Sequence, residues 1–248
     1  MSGLSARALS GIPEVRPGDD LAKLILASAV EVRDEHVVAI AHKVVSKAEG
    51  AVAGLAGVES TARARELAAE QGKDARAVQV VLDQSVEILR AERGVLICRT
   101  HHGFVCANAG VDTSNTAAGT LVLLPRDPDA SARRIRARLR ELSGSAPAVL
   151  ITDSFGRAWR HGQLDVAIGL AGMQPLDDWR GRTDAGGHEL KATWLALADA
   201  AATTADLARA KDSREPFVLI EGLQRFVTTE DGPGARALLR PLEEDLFR

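Results

Sequence analysis

Two aspartates stand out for the company they keep. Asp112 lies in the stretch ANAGVDTSN (residues 107–115) and Asp153 in VLITDSFGRAWRHGQ (residues 149–163). Each follows an apolar run that reads as a buried strand, and each sits among small or hydroxyl residues. Carboxylates without clustered Cys or His favour hard cations such as Mg2+ or Mn2+, and those ions favour a phosphate-bearing ligand. Arg157, Arg160 and Lys47 would match that ligand's charge. Small residues around Asp112 let a ligand approach the backbone, and Asn115 adds an amide. The pattern predicts metal-assisted phosphoryl chemistry. The plainer alternatives are a strand exit with a capping Asp at 149–163 and a solvated helix face for Lys43 and Lys47.

The common catalytic motifs do not occur. Gly72-Lys73 is followed by Asp74, so there is no P-loop, and no G-x-G-x-x-G follows a strand. H-E-x-x-H and G-x-S-x-G are missing too. Cys98 and Cys106 do not have zinc-site spacing and read as free thiols. His101, His102 and His161 read as hydrogen-bonded loop residues rather than catalytic bases. With 46% hydrophobic and 26% charged residues and a net charge of -3, nothing favours nucleic acid or a membrane surface as the main partner. No apolar run approaches the roughly 20 residues of a membrane helix. Residues 1–11 carry no apolar signal segment. A cytoplasmic location is expected.

The elements that must position these residues read as mixed α+β rather than a regular βαβ series. A short strand over 6–10 precedes a segment broken by two prolines and two glycines. Asp19 or Asp20 then caps a helix carrying Leu21, Leu24, Ile25 and Ala29. Residues 36–42 (HVVAIAH) read as a buried strand, and 60–90 as largely helical. Short strands over 86–90, 95–100 and 103–107 form a meander, and residues 121–124 a further strand. Asp129 caps an arginine-rich helix that Gly144 ends, its arginines mostly solvated. The strand into Asp153 is expected to break there into a polar loop. Residues 165–172 are a buried strand, 189–210 a long helix and 216–222 a last strand.

Five ordered motifs, Gly-Ile-Pro-Glu (11–14), Lys-Val-Val-Ser-Lys-Ala-Glu-Gly (43–50), Ala-Gly-Val-Asp-Thr-Ser-Asn (109–115), Leu-Leu-Pro-Arg-Asp-Pro-Asp-Ala-Ser-Ala (123–132) and Ile-Thr-Asp-Ser-Phe-Gly-Arg-Ala-Trp-Arg-His-Gly-Gln (151–163), resemble the coenzyme F420-0:γ-glutamyl ligase family, the CofE type. The resemblance runs from about Gly11 to Phe247. It implies an α+β fold with an antiparallel sheet and flanking helices, without P-loop or Rossmann motif, built as an intertwined homodimer. Residues 1–248 are then one ligase unit, or two tightly packed α+β subdomains, with no fused nitroreductase-like domain. The implied activity is GTP-dependent addition of L-glutamate to the deazaflavin precursor F420-0 through an acyl phosphate.

Position by position, the resemblance puts a divalent ion, Mg2+ or Mn2+, on Asp112 and Asp153 and a second ion on Ser154, with K+ a further ion to consider. Asp112, Asp153 and Lys47 become the catalytic set. GTP contacts fall on Ile12, Pro13, Glu14, Val15, His42, Lys47, Asn115, Arg209, Ala210, Lys211, Asp212 and Ser213. Arg157 and Arg160 are assigned to the phosphates or the acidic coenzyme. Two departures matter: His42 stands where the family carries Ser, and Lys211 cannot ligate an ion as an amide oxygen would. They keep open a ligase for another carboxylate; a nucleotide- or deazaflavin-binding module without catalysis is a separate alternative, against which Asp112, Asp153 and Lys47 argue.

Overall fold

A computed structural model of the chain describes residues 3–28, 31–114 and 117–246. Strand β1 (Ser5–Ala8) precedes the Pro- and Gly-broken segment. Helix α1 (Leu21–Ala27) follows, capped by Asp20, whose carboxylate accepts from Lys23 N at 3.2 Å. Ala29, expected on its buried face, lies outside the described residues. The wholly apolar β2 (Val37–Ala41) passes directly into α2 (His42–Ala48), so His42 opens the helix instead of ending the strand. After β3 (Val52–Gly54) come α3 (Ala62–Gln71) and α4 (Ala75–Asp83), capped by Thr61 and Asp74. The expected meander is β4 (Ser85–Glu92), β5 (Val95–Thr100) and β6 (Val105–Ala107). Next are β7 (Thr120–Val122), α5 (Pro128–Ser143), β8 (Ala148–Arg157) and β9 (Arg160–Ala171). The chain continues through β10 (Asp177–Asp178), β11 (Trp194–Leu195), α6 (Leu197–Ala208) and β12 (Phe217–Glu221).

The main sheet has the order β1-β12-β2-β8-β9. It is mixed: β2 and β8 run parallel, and every other neighbouring pair is antiparallel. β2 and β8 must be apolar on both faces because both are covered. Val38, Ile40, Val149 and Ile151 pack toward α1, α2 and α5, while Val37, Ala39, Ala148 and Leu150 pack toward α6. Fully buried Leu150 and Ile151 each contribute about 1.5–3 kcal/mol, which makes this pair of strands the rigid base of the molecule. A separate core, with Leu67, Val78, Val81, Leu96 and Cys98, joins α3 and α4 to the meander. Among the described residues no helix is long and apolar enough to cross a membrane.

Three sequence expectations change here. The strand into Asp153 does not break: β8 runs on to Arg157, turns over Ala158-Trp159 and returns as β9. The polar stretch alternates its side chains across a hairpin whose backbone groups are satisfied by pairing, so polarity alone misread it as a loop. The cap of α5 is Asp127, not Asp129: its carboxylate accepts from Ala130 N at 3.0 Å and Pro128 occupies the first helical turn. Asp129 turns inward instead, accepting from Leu170 N, Ala235 N and Arg236 N. Gly234 precedes that contact with φ +83°, and a Cβ there would collide with the Asp129 carboxylate. Finally, α6 starts at Leu197 rather than 189, because Trp194-Leu195 pair with Asp177-Asp178.

Four of the five arginines of α5 are exposed or half-buried, as expected, and Arg136 is the exception. Arg136 is buried and donates to the carbonyls of Pro147, Thr228 and Thr229 and to Asp231. It staples the helix to the segment after β12.

Candidate active site

Period-2 alternation along β8 divides its polar residues between two faces. Val149 and Ile151 belong to the α1, α2 and α5 layer, and beyond them Asp153 faces α2 while Phe155 packs on the same cluster. Thr152 and Ser154 point the other way, toward Asp165 of β9 and the end of α6. Ser154 and Asp165 are direct cross-strand partners. Neighbouring residues in the sequence thus serve two different clusters.

On the α2 face, Asp153 lies 3.2 Å (Oδ1) from His42 Nε2. The two are not aligned for a hydrogen bond, and among the described residues the buried His42 Nε2 has no hydrogen-bond partner. His42 Nδ1 is 3.4 Å from Ser46 Oγ. Across from Asp153, the segment before Asp112 is strained: Asn108 and Ala109 have φ of 51° and 53°, left-handed values that cost non-glycine residues energy. Asp112 is then pinned by a two-way backbone bridge to Val122. Its carboxylate meets Lys43 Nζ at 2.7 Å and accepts from Ser114 N at 2.6 Å. Burial pushes the Asp112 carboxyl up, but Lys43 and Ser114 outweigh it and hold it below its ordinary value.

Asp112, Asp153 and Ser154 line one cleft of about 520 Å³, together with Lys73, Asn108 and Gln163. Among the described residues no three His, Cys, Asp or Glu side chains gather into a set that would hold an ion unaided. Two carboxylates on one cleft fit a divalent cation whose remaining positions are filled by phosphate oxygens and water, the usual way Mg2+ is held.

Lys43 and Lys47 lie one turn apart on α2. Lys47 Nζ reaches Glu14 Oε1 at 2.5 Å, and Gly18 N donates to Ala48 O at 2.8 Å, so residues 12–18 run beside α2. Val15 is buried, Ile12 packs on the core, and Pro13 and Glu14 are exposed. The structure therefore joins the Gly-Ile-Pro-Glu segment to Lys47, two of the stretches singled out in the sequence.

The α6 face centres on Asp165, which the sequence reading passed over as the first residue of a buried strand. It is 1% exposed. Its carboxylate accepts from Thr152 Oγ1 at 2.8 Å, Ser154 Oγ at 2.7 Å, Lys211 Nζ at 3.3 Å and the guanidinium of Arg209. Burial alone would push the Asp165 carboxyl up, but the Ser154 hydroxyl and then Arg209 hold its pKa below the ordinary range. Lys211 also binds Ser154 Oγ at 2.9 Å and Asp206 Oδ1 at 2.5 Å. Desolvation would pull the ammonium down, but Asp206 and Asp165 keep it above its usual value. The alternation of Asp153, Ser154 and Asp165 about the hairpin was the signal that could have found this acid.

The remaining candidates fall outside these clusters. Asn115 lies outside the described residues. Arg157 and Arg160 face each other at the hairpin tip and do not themselves line the cleft, although the adjacent pair Gly156 and Gln163 does; Arg157 donates to His161 O. Ala210 and Ser213 form a turn in which Ser213 bonds Ala210 O, with Asp212 exposed between them. Cys106 does line the cleft, but burial and the nearby Asp153 charge push its thiol up to about 12, leaving it unreactive.

A mixed sheet with two carboxylates lining one cleft and a lysine-bearing helix beside it defines an α+β protein with an acid-lined cleft at one end of its central strands. Comparison with known proteins sharpens this. Residues 11–222 match the F420-0:Gamma-glutamyl ligase family. The chain is 46% identical over 253 aligned positions to the "Coenzyme F420:L-glutamate ligase" of Methanopyrus kandleri, covering 100% of both. It is 40% identical to the protein of that name from Methanothermobacter thermautotrophicus, covering 99% of each chain. The Haloarcula marismortui protein of the same name is 39% identical over 97% of this chain and 94% of its own. The chain belongs to the F420-0:γ-glutamyl ligase family.

Proposed function

We propose that this protein is a GTP-dependent ligase that joins L-glutamate to the carboxylate of the deazaflavin precursor F420-0, working as a cytoplasmic homodimer. The observation that carries the reading is the cleft, where Asp112 and Asp153 converge from separate parts of the chain. A carboxylate is a poor electrophile, so the acceptor is first phosphorylated. Its oxygen attacks the γ-phosphorus of GTP, the bond to the β–γ bridging oxygen breaks, and an acyl phosphate and GDP result. The glutamate amine then attacks the acyl carbon. The new C–N bond forms as the C–O bond to phosphate breaks, inorganic phosphate leaves, and the nitrogen gives up its excess protons.

A divalent ion on Asp112 and Asp153 would offset phosphate charge and align the transferring group. Lys43 holds the Asp112 carboxylate in its ionised form, and His42 backs Asp153 from the buried side. Lys47, held beside the segment 12–15 by Glu14, would offer its charge to the nucleotide. The test is direct: incubate the protein with GTP, Mn2+, L-glutamate and F420-0, and read the product mass. Gain of glutamyl units with matching GDP release supports the proposal. Release of GDP without glutamyl transfer to F420-0 overturns the assigned acceptor.

A further inference from the structure

The two ions implied by the family resemblance do not fit the two faces of the β8–β9 hairpin equally. On the α6 face the ion would be held at Ser154 Oγ, beside Asp165 Oδ1 and Asp206 Oδ1. One ammonium already engages all three oxygens: Lys211 Nζ lies 2.9 Å from Ser154, 3.3 Å from Asp165 and 2.5 Å from Asp206. An ammonium has three donors and no acceptor, so this set satisfies it completely. The Ser154 hydroxyl proton goes to Asp165 Oδ1 at 2.7 Å, which leaves its lone pairs to Lys211. Arg209 closes Asp165 Oδ2. Asp165 and Asp206 therefore face Arg209 and Lys211, two charges of each sign. A dication at Ser154 would have to displace this ammonium or stand against it.

We propose that Lys211 is a resident cation that takes the place of the second ion, so that the nucleotide site works with one divalent ion per chain. The inference rests on the metal–nucleotide reading given under the proposed function. With 65% of its side chain exposed, Lys211 adds its positive charge to the solvent side of the cluster through space, its three donors staying with Ser154, Asp165 and Asp206.

Counting bound Mn2+ tests this, using the electron paramagnetic resonance signal of free Mn2+ with the β,γ-imido analogue of GTP and subtracting ion held by analogue alone. The wild type is expected to bind one Mn2+ per chain. Lys211→Gln, which offers an amide oxygen and removes the charge, is expected to bind a second at least about tenfold more tightly than wild type does. Two ions of similar affinity on the wild type overturn the inference without touching the parent reading. So does an unchanged single ion on a Lys211→Gln variant with a native circular-dichroism spectrum. No Mn2+ on the wild type removes the metal–nucleotide reading itself, and this inference with it.

Discussion

The two faces of one hairpin treat their carboxylates in opposite ways. On the α6 side, Asp165 and Asp206 are matched by Arg209 and Lys211, and every Asp165 oxygen is spoken for. On the α2 side, Asp112 has Lys43, while the only ion-pair partner of Asp153 among the described residues is a histidine not aligned to bond it. Asp165 is neutralised internally beside the sheet, and Asp112 by Lys43, whereas Asp153 is matched by no lysine or arginine among the described residues. Strain follows the same division: the left-handed Asn108 and Ala109 precede Asp112 on the cleft side.

This contrast breaks first at Asp153. Asp153→Asn keeps the size and most hydrogen bonding of the side chain, so the fold should persist while glutamate-dependent GDP release falls about 10³-fold, roughly 4 kcal/mol of transition-state stabilisation. Undiminished turnover would dismiss the cleft as the reaction centre. Asp165→Asn should do the reverse. It leaves Arg209 uncompensated in a buried site and is expected to cost roughly 3 kcal/mol of stability, read as a lower urea midpoint. A stable Asp165→Asn variant with lost activity would mean the two faces share one role.

Acid should separate the faces more gently. The Asp165 carboxyl lies below its ordinary value of 3.8 in the folded protein. Its contribution to stability is therefore fully present above that value and is lost as pH falls through the lower, folded value. Melting temperature should drop on acidification below about pH 4, with a shallower drop in Asp165→Asn. Identical acid limbs would place the linkage elsewhere. The smallest effect is expected at the hairpin tip. Arg157→Ala removes an exposed contact to His161 O, and such surface interactions are worth about 0.2–1 kcal/mol. A thermal-shift measurement should barely move, and a large loss of GTP affinity would instead bring the tip into the site.

Much of this was legible in the chain. Apolar runs marked β2, the base of β8 and β12, turn residues marked the meander, and the acids among small residues marked both cleft carboxylates. Helix boundaries were less so. Pro128 was the sign that Asp127 caps α5, yet Asp129 looked equally able until it was seen buried under Gly234. The tail of the opening motif was misread because polar, glycine-bearing residues resemble a loop when their pairing partner is unknown.

By itself the sequence determined the family, the strands buried on both faces and the two acids, Asp112 and Asp153, that line the cleft. These are local properties: composition, period and motif. Which carboxylates are matched by a cation was decided only in three dimensions. Asp153 and Ser154 are adjacent in the chain but face opposite sides of a sheet, and Asp165 meets Arg209 and Lys211 from 44 and 46 residues away. Charge compensation depends on distances through space, and the order of residues does not contain them.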